Sequence, residues 1–372
     1  MPDQTPDRNT AGQTDVIVVG AGVVGASTAR ELARAGARVL LIDRDEHPGA
    51  GSRAAAGVGV PSVRLLDDSP MLEFALRGRQ VLAADLARLS TSQRPLVLHC
   101  GLLRPVPDQA AADRLAARAV QHPDFLGSWL SGEELTAREP GWRGSAHGAF
   151  FDPTAAVVDA PGYVDALVDE ARQAGVLVHT GCALLGVDAG SHAVTAHLPG
   201  GPVHAESLVL ACGAWLGALP DTAALPVRPV RGQMIRLEVA PGQCPQHIVS
   251  GSLYLAPAPD GHTVLVGATE EDVEFTPGPT VEGALLLLAH AARNWGLQAA
   301  RISALWHGFR ASTPDGRPLI GRLPGAPRIV VAGGHGGQGI LTGGHTGRLV
   351  TALLGGALPG ELRHFDPARS LR

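Results

Sequence analysis

Thr14-Asp15-Val16-Ile17-Val18-Val19-Gly20-Ala21-Gly22-Val23-Val24-Gly25, answered further on by Arg38-Val39-Leu40-Leu41-Ile42-Asp43, decides how this chain folds. The first apolar, β-branched run breaks abruptly at three glycines. A helical pattern then runs from Ala26 to Ala35 and stops at Gly36, and the second apolar run ends on an acid. Strand, glycine turn, helix, strand and carboxylate in that order form a dinucleotide-binding unit. Gly20 permits the tight turn, Gly22 the close approach of backbone to a pyrophosphate, and Gly25 the packing of helix on strand. Unpaired N–H groups at the helix start face the phosphates. Asp43 is positioned to accept hydrogen bonds from an adenosine ribose and would repel a 2′-phosphate, which favours FAD or NAD.

Around this unit, 372 residues suffice for two domains with substantial cores. A formal net charge of −5 gives no reason to expect nucleic acid or an anionic membrane surface as partner. No apolar run approaches the length that spans a membrane, and residues 1–14 read as a flexible polar tail without a secretory core. Cys100, Cys182, Cys212 and Cys244 are too widely spaced for a zinc site or a compact disulfide framework, and read as reduced thiols in a cytoplasmic protein. Homo-oligomerisation is left open.

The row Ser52-Arg53-Ala54-Ala55-Ala56-Gly57 would let a helix start press against something flat or bulky. Helices are expected over Met71–Leu89, Ala110–Val120, Gly162–Ala174, Val281–Trp295 and Leu341–Leu354, and strands over Ala183–Val187, Leu208–Ala211, Met234–Val239, Ser252–Ala256, Thr263–Gly267 and Arg328–Ala332. The fold class that results is α/β. A Rossmann-like cofactor domain (15–90, 155–222 and 305–372) carries a second α+β domain (91–154 and 223–304) built on a mostly antiparallel sheet.

A second glycine loop, Gly333-Gly334-His335-Gly336-Gly337-Gln338-Gly339-Ile340-Leu341, opens the last helix. Its amides could face a planar ligand and stabilise negative charge there, or could simply enter a helix. His335 is either a hydrogen-bonded structural group or a catalytic one. Arg310 ends an apolar stretch, as a surface or ion-paired arginine or as a fork for a carboxylate. Tyr254 is core, or supplies that carboxylate with a second hydrogen bond.

With these motifs in view, the chain resembles the D-amino acid oxidase family of FAD-dependent oxidoreductases from Asp15 to about Arg363, glycine oxidase in particular. D-Amino acid dehydrogenases are also similar, around Asp152-Pro153-Thr154 and Gly336 to Ile340. The resemblance implies non-covalent FAD and oxidation of the C–N bond of a small amine or amino acid, by hydride transfer to flavin N5. The resulting imine hydrolyses to an oxo acid, and O₂ or another acceptor reoxidises the flavin. It implies that Arg310 and Tyr254 hold the substrate carboxylate. FAD contacts are implied for Val23, Val24, Asp43, Arg44, Ser52, Ala56, Gly57, the backbone of Leu184 on a strand, and His335 to Leu341. The chain departs from glycine oxidase at Gly337, where that enzyme has arginine, and at Glu270, where it has methionine. The covalent variants use a cysteine near the last loop, and here none follows Cys244. Three alternatives are a dehydrogenase using an acceptor other than O₂, an NAD enzyme built on the first motif alone, and a non-catalytic flavoprotein.

Overall fold

The computed structural model describes residues 14–219 and 225–370. The expected tail therefore lies, but for Thr14, outside the described residues.

Val16–Val19 is the middle of a six-stranded sheet ordered Leu319–Leu323, Ala326–Gly333, Ser207–Leu210, Val16–Val19, Val39–Ile42, Leu177–His179. Every pairing is parallel except that of Leu319–Leu323 with Ala326–Gly333. The strand is buried on both faces, which explains why its sequence is continuously apolar. Val16 and Val18 meet the helices Val23–Arg34, Ser69–Leu89, Ala160–Gln173 and Gly339–Leu354. Ile17 and Val19 meet a small antiparallel sheet formed by Gly186–Ala189, Val194–Leu198 and Gly201–Ala205. The first and last helices press together through small residues. A Cβ on Gly347 would stand 2.9 Å from the backbone of Ser27, and one on Gly343 equally close to Val23.

The second sheet has eight strands, ordered Arg301–Ser312, Arg228–Glu238, Thr263–Gly267, Tyr254–Pro257, Ile248–Ser250, Leu102–Val106, Gly148–Asp152, Ser128–Ser131. Only Ile248–Ser250 and Leu102–Val106 pair in parallel. The helix Val281–Trp295 covers one face with Leu287, Ala291 and Trp295. The other face, with Leu102, Met234, Tyr254 and Ala256, turns toward the cofactor domain.

Three expectations need correction. Arg301–Ser312 runs as one strand across the boundary expected at 304/305, because it pairs with Arg228–Glu238 along its whole length. Arg310 therefore lies on the eight-stranded sheet. The helix near Ser52 begins earlier, at Ala50, and ends at Arg53, so Ala54 to Ala56 are irregular. They do press closely: a Cβ on Gly308 would lie 2.4 Å from the Ala54 methyl, and Trp306 Nε1 donates to Ala54 O at 3.1 Å. Leu184 precedes its strand, which starts at Gly186, and lies in the irregular connection before it. Among the described residues no helix is long and apolar enough to cross a membrane.

Candidate active site

The two sheets face one another across a cavity of about 1120 Å³. Its cofactor-side wall starts at the first glycine turn. Gly20 has φ +98°, and a Cβ on Gly25 would fall 1.7 Å from Gly20 O, so both glycines are required by the turn itself. Asp43 is buried beneath it. Its Oδ2 accepts from Ala21 N at 2.7 Å and its Oδ1 from Asp45 N at 3.0 Å. Each oxygen keeps a lone pair, so the carboxylate that shapes the turn can still accept from a sugar hydroxyl. Ser52 Oγ accepts from Val23 N at 3.1 Å, leaving the hydroxyl proton free to donate. Arg44 lies 3.9 Å over the ring of Trp215, which stacks in turn on Phe275.

The C-terminal loop enters the same cavity. Gly336, at φ +54°, donates to Ala311 O at 2.7 Å and so ties this loop to the strand that carries Arg310. The helix behind it starts after Gln338 with no side-chain cap, and the first N–H groups of such a helix are unpaired along its axis. The buried Gln338 Oε1 also has no hydrogen-bond partner. His335 is bonded through Nε2 to Thr346 Oγ1 at 2.9 Å, and burial pushes its pKa down to about 4. It is a neutral structural imidazole that holds the loop on its helix.

Arg310 and Tyr254 stand on the opposite wall. Arg310 Nη1 donates to Thr269 O at 2.9 Å, and its guanidinium lies so close over Gly232 that a Cβ there would sit 2.6 Å from Nη1. Thr269 is itself anchored. Its hydroxyl donates to Glu271 Oε1 at 2.5 Å, and Gln233 Nε2 donates to the same oxygen at 2.6 Å. The other Glu271 oxygen accepts from Arg231 at 2.5 Å. Burial opposes ionisation of Glu271, but hydrogen bonds from Thr269, Arg231 and Gln233 outweigh it and hold its carboxyl below the ordinary range. Tyr254 donates its hydroxyl to Met234 Sδ at 2.9 Å. Burial pushes the phenol far up, against the pull of the Arg310 cation, so it stays protonated. Sulfur is a weak acceptor, and a carboxylate would readily take that hydrogen bond.

The cavity is lined by Gly20, Gly22, Val23, Val24, Asp43, Arg44, Ser52, Ala56, Gly57, Leu184, His335 to Leu341, Arg310 and Tyr254. Gly25 stands behind the turn and does not line it. Glu270 lines the mouth, paired with Arg64 at 3.1 Å. Sequence reasoning passed over the Thr269–Glu271–Arg231 scaffold, for which no local signal existed, and Arg104. That arginine had a signal: a charge at an alternate position within Leu102-Leu103-Arg104-Pro105-Val106.

Residues 15–353 match the family model described as FAD dependent oxidoreductase. The chain belongs to this family, that of D-amino acid oxidase. FAD is its cofactor, held without a covalent bond. The residues present fit such a group, since two helix starts, a glycine cradle and an orphaned amide oxygen surround one cavity. The bifunctional protein ThiO/ThiG of Nostoc sp. is 32% identical over 355 residues, 91% of this chain and 52% of that protein. The chain thus spans about half the length of that curated relative. Glycine oxidase of Geobacillus kaustophilus is 30% identical over 353 residues, covering 91% of this chain and 92% of the enzyme. Its crystal structure superposes with a TM-score of 0.85 over 96% of this chain and 98% of the other, at 27% identity. The crystal structure of iminodiacetate oxidase from Chelativorans sp. BNC1 has a TM-score of 0.83 at 28% identity, covering 95% and 98% of the two chains.

Proposed function

We propose that this chain oxidises the C–N bond of a small amino acid or amine that carries a carboxylate, as glycine oxidase does with glycine. The observation that carries this reading is the convergence of Arg310 and Tyr254 on a cavity wall that faces both glycine loops. FAD supplies the hydride acceptor when bound. Val23, Val24, Asp43, Arg44, Ser52, Ala56, Gly57, Leu184 and His335 to Leu341 would hold it, with the uncapped amides of the last helix beside the ring edge where negative charge collects.

The protein's own side chains bind and orient. Arg310 commits one N–H to Thr269 and keeps the rest of its fork for the substrate carboxylate, while Tyr254 turns its hydroxyl from sulfur to the same group. Arg310 is held from behind by Thr269, which fixes the α-carbon in one orientation and lowers the barrier through positioning. The imine leaves the site and hydrolyses in water to the oxo acid. Four unpaired cysteines suit the reducing cytoplasm as the place of work.

The test is anaerobic titration of the purified yellow protein with glycine, sarcosine, and D- and L-amino acids, reading the flavin absorbance. Bleaching by at least one identifies the enzyme and its substrate class. A flavin that no amine reduces would leave a non-catalytic flavoprotein. Peroxide release on re-aeration separates an oxidase from a dehydrogenase that needs another acceptor.

A further inference from the structure

We propose that Arg104 forms a second anion-recognition position in the cavity, so that the substrate carries a further carboxylate or phosphate at its far end, several bonds from the carbon that is oxidised. The inference rests on the amine-oxidising reading above and extends it to a substrate class.

Arg104 lies in the strand Leu102–Val106, where Leu102, Arg104 and Val106 share the face turned to the cavity. It is 6% exposed and lines the cavity wall. Among the described residues no carboxylate forms an ion pair with it, and its Nη1 is buried without a hydrogen-bond partner. Its guanidinium stands 5.5 Å from the centre of the Phe125 ring. Asp152 is the nearby carboxylate whose charge Arg104 feels, but it makes no direct ion pair with it: its Oδ1 accepts from Thr154 N at 2.9 Å and from Thr154 Oγ1 at 2.6 Å, and Arg79 lies 3.7 Å from Oδ2. Burial draws the Arg104 pKa down to about 10, opposed by the Asp152 charge and aided by Arg79, so the side chain remains cationic at neutral pH. A buried cation with no direct ion pair among the described residues is costly, and such a group is ordinarily paired or serves a ligand.

The sheet register relates this group to the other end of the cavity. Ile248 pairs with Leu102 and Val249 with Leu103, so one further step brings Arg104 beside Ser250, which pairs with Tyr254. Arg104 and Tyr254 thus share one row of the sheet two strands apart, roughly 10 Å between backbones. Arg310 projects from the same face at the far edge. Arg104 and Arg310 on one face of a single cavity, which apolar Leu102, Met234 and Ala268 also line, suit an extended amine anionic at both ends. Arg104 and Arg310 differ in one respect: Arg310 is anchored by Thr269, whereas Arg104 Nη1 has no hydrogen-bond partner among the described residues.

The experiment uses the flavin-loaded full chain and the variant Arg104→Met, which keeps the length and removes the charge. The substrates are sarcosine and a series of N-(carboxyalkyl)glycines of increasing length, each matched with its uncharged N-alkylglycine and with the corresponding phosphonate. The expected result is a kcat/KM that climbs with the carboxyalkyl chain and not with the alkyl chain. Arg104→Met should lower the anionic members about tenfold or more and leave sarcosine unchanged. The stronger of the carboxylate and phosphonate arms names the anion.

A second readout needs no turnover. Long dicarboxylates such as suberate should raise the melting temperature of the wild type and perturb its flavin spectrum, while propionate acts equally on both proteins. Arg104→Met should lose the suberate response and be no less stable than wild type without ligand. Equal losses for charged and uncharged substrates, or a destabilised variant with an undiminished suberate response, would overturn the proposal. If no amine bleaches the flavin, the enzyme reading fails, and the suberate arm still decides the role of Arg104.

Discussion

Arg310 is held by Thr269 O on one side and by the flat backbone of Gly232 on the other. If it holds the substrate carboxylate as we propose, replacing it with Ala is expected to lower kcat/KM about 100-fold, mostly through KM. Steady-state kinetics with any carboxylate substrate checks this, and an unchanged KM would remove Arg310 from the site. Gly337 presents a different case. A Cβ there would meet Arg310 Nε at 3.9 Å, an ordinary contact, so Gly337→Arg should fold with stability altered by no more than about 0.5 kcal/mol. The added side chain narrows the space beside Arg310, and kcat/KM should fall for bulky amino acids while that for glycine is kept. His335 reports on pH. Its folded pKa of about 4 lies below the ordinary 6.5, so the unfolded chain binds the extra proton between those values. The neutral form therefore stabilises the fold above about pH 6.5, and on the order of 3 kcal/mol is lost as the pH falls toward 4. Urea midpoints of wild type and His335→Asn over that range should diverge, with the variant showing the shallower slope.

Among the elements, three helices on the cofactor side are tied by Arg30, which is wholly buried. It donates to Asp85 Oδ2 at 3.1 Å and to Glu170 Oε2 at 2.9 Å, and Tyr163 donates to the same Asp85 oxygen. Arg30→Met removes the buried member of this network, while Arg88 stays on Asp85 and Arg34 and Arg88 stay on Glu170, so a loss of roughly 1–3 kcal/mol is expected from the urea midpoint. The strand–turn–helix unit at Val16 to Arg34 was legible because its causes are local: β-branched residues, a glycine with positive φ, and a period that changes from 2 to 3.6. The Val281–Trp295 helix was legible for the same reason, and Thr280 caps it as a helix start requires. By contrast, Arg301–Ser312 is a half-exposed edge strand without clean alternation, and only its partner Arg228–Glu238 makes it part of the second sheet. The scaffold behind Arg310 joins Arg231, Gln233, Thr269 and Glu271 through that same pairing of distant strands, which no local pattern encodes. Arg104 was visible as a charge in an apolar strand, but its lack of a partner emerges only once the sheet is assembled.

At the scale of the whole molecule, the two sheets meet around the cofactor cavity, with few direct ties such as Gly336 to Ala311 and Trp306 to Ala54. FAD should therefore bind the folded chain alone and stabilise it by mass action, about 4 kcal/mol at a thousandfold excess over Kd. Melting temperature measured against added FAD, after the flavin is stripped, should rise continuously; a flat response would contradict a cofactor shared between the sheets. The Arg64–Glu270 pair at the mouth is exposed and is expected to add little to stability.

Trp215 lies on the cavity wall between the Arg44 guanidinium and the Phe275 ring. Its indole emission overlaps the absorption of an oxidised isoalloxazine, so the chain contains its own optical gauge of occupancy. Tryptophan emission, to which Trp215 contributes beside four others, should dim as coenzyme arrives and recover as it departs, and a stopped-flow fluorimeter could follow both without any label.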